Sequence, residues 1–162
     1  MFFYEDFIKK LDKNIQGQGV EKFTLEAKRA AVWIGTGIPF FAAGILELYI
    51  SYAKNFAKTD LAAGIIFIIL SIRHLKLYFS YKITLDFNEK KLKSKDVSFD
   101  FEDVKSCVLK EQAVGKKKKL EAVLDVITNE GQQIIIPLMM SNKIRFVSLL
   151  RNQLGRRFTI ER

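Results

Sequence analysis

Two stretches decide the architecture: AAVWIGTGIPFFAAGIL at Ala30–Leu46 and LAAGIIFIILSI at Leu61–Ile72. The first is seventeen residues without a charge and continues through Glu47 to Ile50. Wound as a helix rising about 1.5 Å per residue, Ala30–Ile50 reaches roughly 30 Å, the thickness of a bilayer's hydrocarbon core. The second holds twelve uncharged residues and then RHLKLYF. Leu61–Phe79 is long enough to span only when Arg73, His74 and Lys76 lie in the headgroup region. The spacing predicts an α+β membrane protein in three parts. Residues 1–29 form a cytoplasmic amphipathic helix and lead-in, 30–79 a two-helix transmembrane hairpin, and 80–162 a small antiparallel β domain closed by a C-terminal helix. A pair of buried helices in a soluble protein is the alternative.

The chain has 162 residues and a formal net charge of +9, of which +3 falls in residues 1–80 and +6 in residues 81–162. A basic domain tethered to a bilayer is drawn to anionic headgroups. Nucleic acid attracts the same charge, but tethering makes lipid the nearer polyanion. Cys107 is the only cysteine, so no intrachain disulfide forms, and DVKSCVLK suggests a buried strand thiol. The opening MFFYEDFIKKLDKNI interleaves charges with apolar residues and lacks a cleavage pattern, so the first apolar segment is expected to stay as an anchor.

Lys22, Lys28 and Arg29 precede the first segment, and Arg73 and Lys76 end the second. The link SYAKNFAKTD carries Lys54, Lys58 and Asp60. The positive-inside rule puts both termini in the cytoplasm and the link outside. Trp33, Tyr49, Tyr52, Tyr78 and Tyr81 fall at interfacial depths. Gly35, Gly37, Ala42, Ala43 and Gly44 allow close helix approach, with Ala62, Ala63 and Gly64 offering small surfaces in return. Pro39 is a candidate bend. Glu47 reads as an interfacial carboxylate or a partner for a nearby lysine rather than part of an ion path. His74, the only histidine, reads as a headgroup contact or a solvated side chain rather than a catalytic group.

At the N-terminus Phe3, Phe7 and Leu11 recur every four residues, with Tyr4, Ile8 and Ile15 beside them. Such a stripe has three destinations: the membrane surface, the C-terminal domain, or another subunit. Gly17 and Gly19 mark a break, after which VEKFTLEAKRAA is expected to resume helix and lead into the membrane.

After Tyr81 the period becomes two. YKITLDF alternates, NEKK supplies a turn, and LKS follows. DVSFDFEDVKSCVLKEQ reads as strand, turn and strand, GKKKK as a loop, and LEAVLDVIT as another strand. NEGQQ ends it, and IIIPL is a short strand in which Pro137 belongs at an edge. SNKIRFVSLLRNQLG suits a final helix, with Ser141 as N-cap, Ile144, Val147, Leu150 and Leu154 on one face, and Gly155 as the stop. That helix is expected to plug the open end of a bent sheet.

This order resembles the bacterial PH-like domains that follow paired membrane helices in small bacterial membrane proteins. The resemblance rests on YKITLDFNEKKLKSKD, on VSFDFEDVKSCVLKE with Phe99, Phe101, Glu102, Asp103 and Val104 in the aromatic-and-acidic segment, and on LEAVLDVITNEGQQIIIPL with its closing helix. It implies a PH-like β domain in the bacterial cytoplasmic (inner) membrane and no catalytic residue.

The run Lys116, Lys117, Lys118 and Lys119 is the strongest local charge cluster and a candidate lipid or partner contact. It lacks the interleaved aromatics that stack on bases, so no nucleic acid is expected. Phosphate-loop, HExxH and CxxC patterns are absent, and Asp100, Glu102 and Asp103 read as solvated acids. No enzyme, metal, cofactor or small-molecule substrate is expected. The leading expectation is a membrane-anchored scaffold or accessory subunit that binds protein partners through its cytoplasmic domain. Membrane lipids, other membrane-complex subunits and self-association are the partners considered. The alternative is an anionic-lipid headgroup sensor, and a small oligomeric transporter or channel comes third, since two helices alone enclose no polar path.

Overall fold

The computed structural model describes residues 4–12, 15–94, 97–114 and 119–161. It divides into two units, one formed by residues 1–24 with 82–162 and the other by Leu25–Tyr81. The helical unit is therefore an insertion in the chain of the β unit.

The helical unit consists of α2 (Ala27–Ala53) and α3 (Lys58–Ser80), each long and apolar enough to cross a membrane. α2 runs through Pro39 without interruption. The two helices meet on small residues. A Cβ on Gly44 would lie 2.8 Å from Ile68 Cδ1 and 3.1 Å from Gly64 O, and one on Gly64 would lie 2.8 Å from Leu48 and 3.1 Å from Gly44 O. Gly37 is as closely covered by Leu75, and Ser71 Oγ donates to Gly37 O at 2.8 Å. Gly35, by contrast, faces open space. The seam thus uses Gly37, Gly44 and Gly64 from the small-residue set, while Ala42 and Ala62 are exposed. Phe40 stacks on Phe67 at 6.0 Å within the same seam. The outward side carries Ile38, Ile45, Leu46, Ile65, Ile66, Ile69 and Ile72, all about half exposed or more. Soluble core helices hide such residues.

The link is shorter than the sequence suggested. Only Lys54–Ala57 lies between the helices, because Ser51–Ala53 still belong to α2 and Lys58–Asp60 open α3. Asn55 and Phe56 both take left-handed φ, at 54° and 62°. This costly pair is held from both sides. Phe56 N donates to Ser51 O at 2.8 Å, Ser51 Oγ donates to Ala57 O at 3.1 Å, and Lys54 pairs with Asp60 at 3.0 Å.

The β unit contains α1 (Tyr4–Lys9), β1 (Val20–Thr24), β2 (Lys82–Asp86), β3 (Lys91–Ser94), β4 (Val97–Asp100), β5 (Val104–Val114), β6 (Lys119–Thr128), β7 (Gln133–Pro137), α4 (Lys143–Leu154) and β8 (Phe158–Ile160). The expected helix over VEKFTLEAKRAA is corrected here: Val20–Thr24 is a strand, paired antiparallel with β2 from Val20↔Asp86 to Thr24↔Lys82. Its alternation buries Phe23 beside Ile83 and Leu85, and that cross-strand burial overrides the helical spacing read from the sequence.

The strands form two four-stranded sheets instead of one bent sheet. The first runs β1-β2-β3-β4 and the second β7-β6-β5-β8, with β8 parallel to β5. β8 follows the helix stop at Gly155, in a segment for which the sequence offered no element. The chain passes between sheets at Phe101–Asp103, where Phe101 is buried and the ladder shifts register between Val104 and Ser106. Inward positions of the second sheet are Cys107, Leu109, Leu124, Val126, Ile134 and Ile136, all buried.

α4 buries Phe146, Val147, Leu149, Leu150 and Leu154. Phe146 meets Phe23 edge-on at 5.0 Å, and Arg145 holds Glu21 through two nitrogens at 2.7 and 2.8 Å. The N-cap position is Asn142 rather than Ser141. Ser141 is used otherwise: its backbone N donates to Thr24 O at 2.8 Å and its Oγ to the same oxygen at 3.2 Å.

Leucine at position 44 should weaken the helix pair by about 1–3 kcal/mol, because Gly64 O is backbone and cannot swing aside. Leucine at the open Gly35 should leave it unchanged. Thermal unfolding of Gly44→Leu and Gly35→Leu in detergent reads the difference, and equal losses would contradict this seam.

Candidate functional site

The N-terminal stripe goes to the chain's own domain. Phe7 and Leu11 are buried, while Phe3 lies outside the described residues. Tyr4 Oη lies 2.8 Å from Leu109 O and 2.9 Å from Glu161 O, so its one proton is shared between them. Burial, with Glu111 and Glu161 nearby, pushes the Tyr4 phenol up to about 12. Asp12 N donates to Ser148 Oγ at 3.0 Å, and Asn152 Nδ2 donates to Ile15 O at 2.7 Å. Gly17 then sits under the Phe87 ring, where any Cβ would collide. Residues 4–12 and 15–19 thereby form a strap, with contacts at the β5–β8 edge, at α4 and beside Phe87. Phe7 and Leu11 are thus buried within the chain's own β unit.

Of the lysine run, residues 116–118 lie outside the described residues. Lys119 opens β6, and its backbone pairs with Val114 at the end of the long β5–β6 hairpin.

His74 is half-buried against α2. Its ring lies 5.2 Å from Trp33 and 5.7 Å from Phe40, and Nδ1–H donates to Leu70 O at 2.8 Å, since a carbonyl only accepts. Helical spacing explains this: His74 follows Phe67 and Ser71 on the side of α3 that faces α2. Glu47 is half-buried and has no ion-pair partner among the described residues, the nearby Lys54 being taken by Asp60.

Cys107 is fully buried on the inner face of β5. Burial pushes its thiol up to about 12, with Asp125 adding to the shift, so it stays protonated and unreactive at neutral pH. Asp100 pairs with Lys91 at 3.5 Å and Glu102 with Lys90 at 2.9 Å. Among the described residues no group of three His, Cys, Asp or Glu side chains is placed to hold a metal ion.

The sequence reading missed one polar cluster. On the outer face of the second sheet, Lys110 Nζ donates to Asp125 Oδ2 at 2.6 Å, and Gln133 Nε2 reaches both Asp125 oxygens at 2.9 Å. Asp125 is buried, and these bonds satisfy it. The hydrogen bond from Lys110 holds the Asp125 carboxyl below its usual range despite burial, and the same bond raises Lys110. The signal in the sequence was Asp125 within the mostly apolar run LEAVLDVIT, and its partners lie on neighbouring strands.

The outer face of the first sheet is the other ordered polar surface. Directly opposed residues share a face, so Thr24 and Lys82 form one row, and Lys22, Thr84, Lys93 and Ser98 the next. Val20, Asp86, Lys91 and Asp100 form the third. No family model, curated protein or solved structure matches the chain.

The lowered Asp125 contributes stability that is complete above its ordinary value of 3.8 and disappears as pH falls through the folded value. Raised Lys110 loses its share only in alkali, above its ordinary 10.5. Asp125→Asn should therefore be less stable than wild type at neutral pH, with the gap closing in acid. Urea midpoints from about pH 7 to about pH 3 measure it. Cys107 should resist a thiol-alkylating reagent at neutral pH and react fully in denaturant, and prompt native labelling would contradict its burial.

Proposed function

We propose that the chain is a membrane-anchored, non-enzymatic binding subunit. In this reading α2 and α3 cross the bacterial cytoplasmic membrane, and the β unit is a PH-like domain that holds other subunits of a membrane complex on the cytoplasmic side. The observation that carries it is the exposed isoleucine surface of two helices long enough to span, which bulk water would penalise and lipid would not.

Both ends of the helical pair leave from paired strands, Thr24 beside Lys82, which supports one side for both soluble segments. Orientation is supported by charge. Lys22, Lys28, Arg29, Arg73, Lys76 and Lys82 flank the helices at that end, whereas in the link Lys54 is neutralised by Asp60. A binding role is supported by two sheets and a helix in which Cys107 is buried and Asp100, Glu102 and Asp125 are held in ion pairs.

Because Cys107 is inert, single introduced cysteines report topology. Asn55→Cys should label from outside intact cells with an impermeant maleimide, and Glu130→Cys only after permeabilisation. The reverse pattern inverts the topology. Purification of the intact chain from native membranes in mild detergent, with proteins and lipids identified together, tests the role. Stoichiometric protein partners that survive charge reversal of Lys116–Lys119 support the subunit. Recovery with one anionic lipid alone, lost on reversal, supports a headgroup sensor instead.

A further inference from the structure

The three rows on the outer face of the first sheet differ in how their charges are matched. In the row farthest along the ladder from Thr24 and Lys82, Lys91 faces Asp100 directly and pairs with it at 3.5 Å. Lys93 pairs with Glu89, and lies 3.9 Å from Asp86. Lys90, in the β2–β3 turn, pairs with Glu102. The acids on this outer face and in its turns therefore collect at one end and hold their own lysines.

Lys22 and Lys82 are at the other end and have no ion-pair partner among the described residues. Both are exposed. The register sets them diagonally, Lys22 opposite Thr84 and Lys82 opposite Thr24, with all four side chains on one face because Phe23 and Ile83 point into the core. That end is also where the chain joins the helices. Thr24 precedes α2, which begins at Ala27, and Lys82 follows α3, which ends at Ser80. Covalent length alone keeps these residues within about 10 Å of the helix ends, about one Debye length at moderate salt.

We propose that Lys22 and Lys82, with the hydroxyls of Thr24 and Thr84, form a binding site for the headgroup phosphate of anionic phospholipids. The ladder fixes the spacing of the two ammonium groups, and the threonines add neutral donors between them. Unmatched positive charge thus lies at the end of the ladder where the chain passes into and out of the helices, and matched charge at the other end. The site rests on the membrane reading of α2 and α3 and uses none of Lys116–Lys119.

The full chain is reconstituted in nanodiscs containing equal phosphatidylglycerol and phosphatidylcholine, and the lipids it retains through mild-detergent extraction are quantified. Wild type should retain phosphatidylglycerol preferentially. Lys22→Gln with Lys82→Gln should reduce that preference roughly 30-fold, about fivefold for each lysine. Lys91→Gln with Lys93→Gln, which removes the same number of lysines from the same sheet, should change it less than about twofold. Lys22→Arg with Lys82→Arg should keep it. Thermal unfolding checks each variant, and Lys22→Gln alone, expected near fivefold, replaces the glutamine pair if that pair loses its transition. An unchanged ratio in the glutamine variants, or equal loss in the Lys91 and Lys93 pair, overturns the site. Failure of the membrane reading looks different: the wild-type chain would then stay out of nanodiscs before any substitution is made.

Discussion

The ladder between Val20–Thr24 and Lys82–Asp86 is the contact on which the remaining structure depends. It joins two segments separated by the entire helical unit, so forming it closes a long loop at an entropic cost that grows only slowly with loop length. Two features offset that cost. The helix pair brings its own ends together, and Phe23, Ile83 and Leu85 are buried as the strands meet. Without β1, the first sheet would lose its edge strand, Arg145 its Glu21, and Phe146 its ring partner. Ser141 would also lose the Thr24 carbonyl that takes both of its donors. The approach to α4 is thus organised by residues that precede it by more than a hundred positions.

The helical pair follows a different physical rule. In the proposed membrane setting, lipid tails would supply no net drive for burying one leucine against another, and packing would come from close backbone approach and a few hydrogen bonds. Gly44 against Gly64, Gly37 under Leu75, and Ser71 on Gly37 O supply these. His74 fits the same seam because its Nδ1–H is satisfied by Leu70 within its own helix, leaving the ring to lie between Trp33 and Phe40. A strained left-handed pair, Asn55 and Phe56, is tolerated in the link because Ser51 fixes both sides of the turn.

Much of this was legible. The two apolar runs, the change to period two after Tyr81, the turns at NEKK and NEGQQ, and the amphipathic closing helix all correspond to observed elements. Those signals are local: a run, an alternation or a stripe is written in consecutive residues. What was misread depended on partners distant in the chain. VEKFT has no tendency of its own strong enough to declare a strand, and becomes one through β2. Phe7 and Leu11 form a stripe whose destination is not contained in the stripe. The Lys110–Asp125–Gln133 cluster takes one residue from each of three strands, and nothing in LEAVLDVIT announces the other two.

By itself, then, the sequence determined an α+β chain with two helices of membrane-spanning length, a β unit after them, one lone thiol and an excess of basic residues. These follow from composition and periodicity, which act on neighbours. Only the tertiary structure decided that the helices are inserted between two paired strands, that the sheets are two, and that the N-terminal stripe is consumed as a strap. It also decided which lysines meet acids and which do not. Strand register sets those pairings, and register depends on which faces are buried together once distant segments have met.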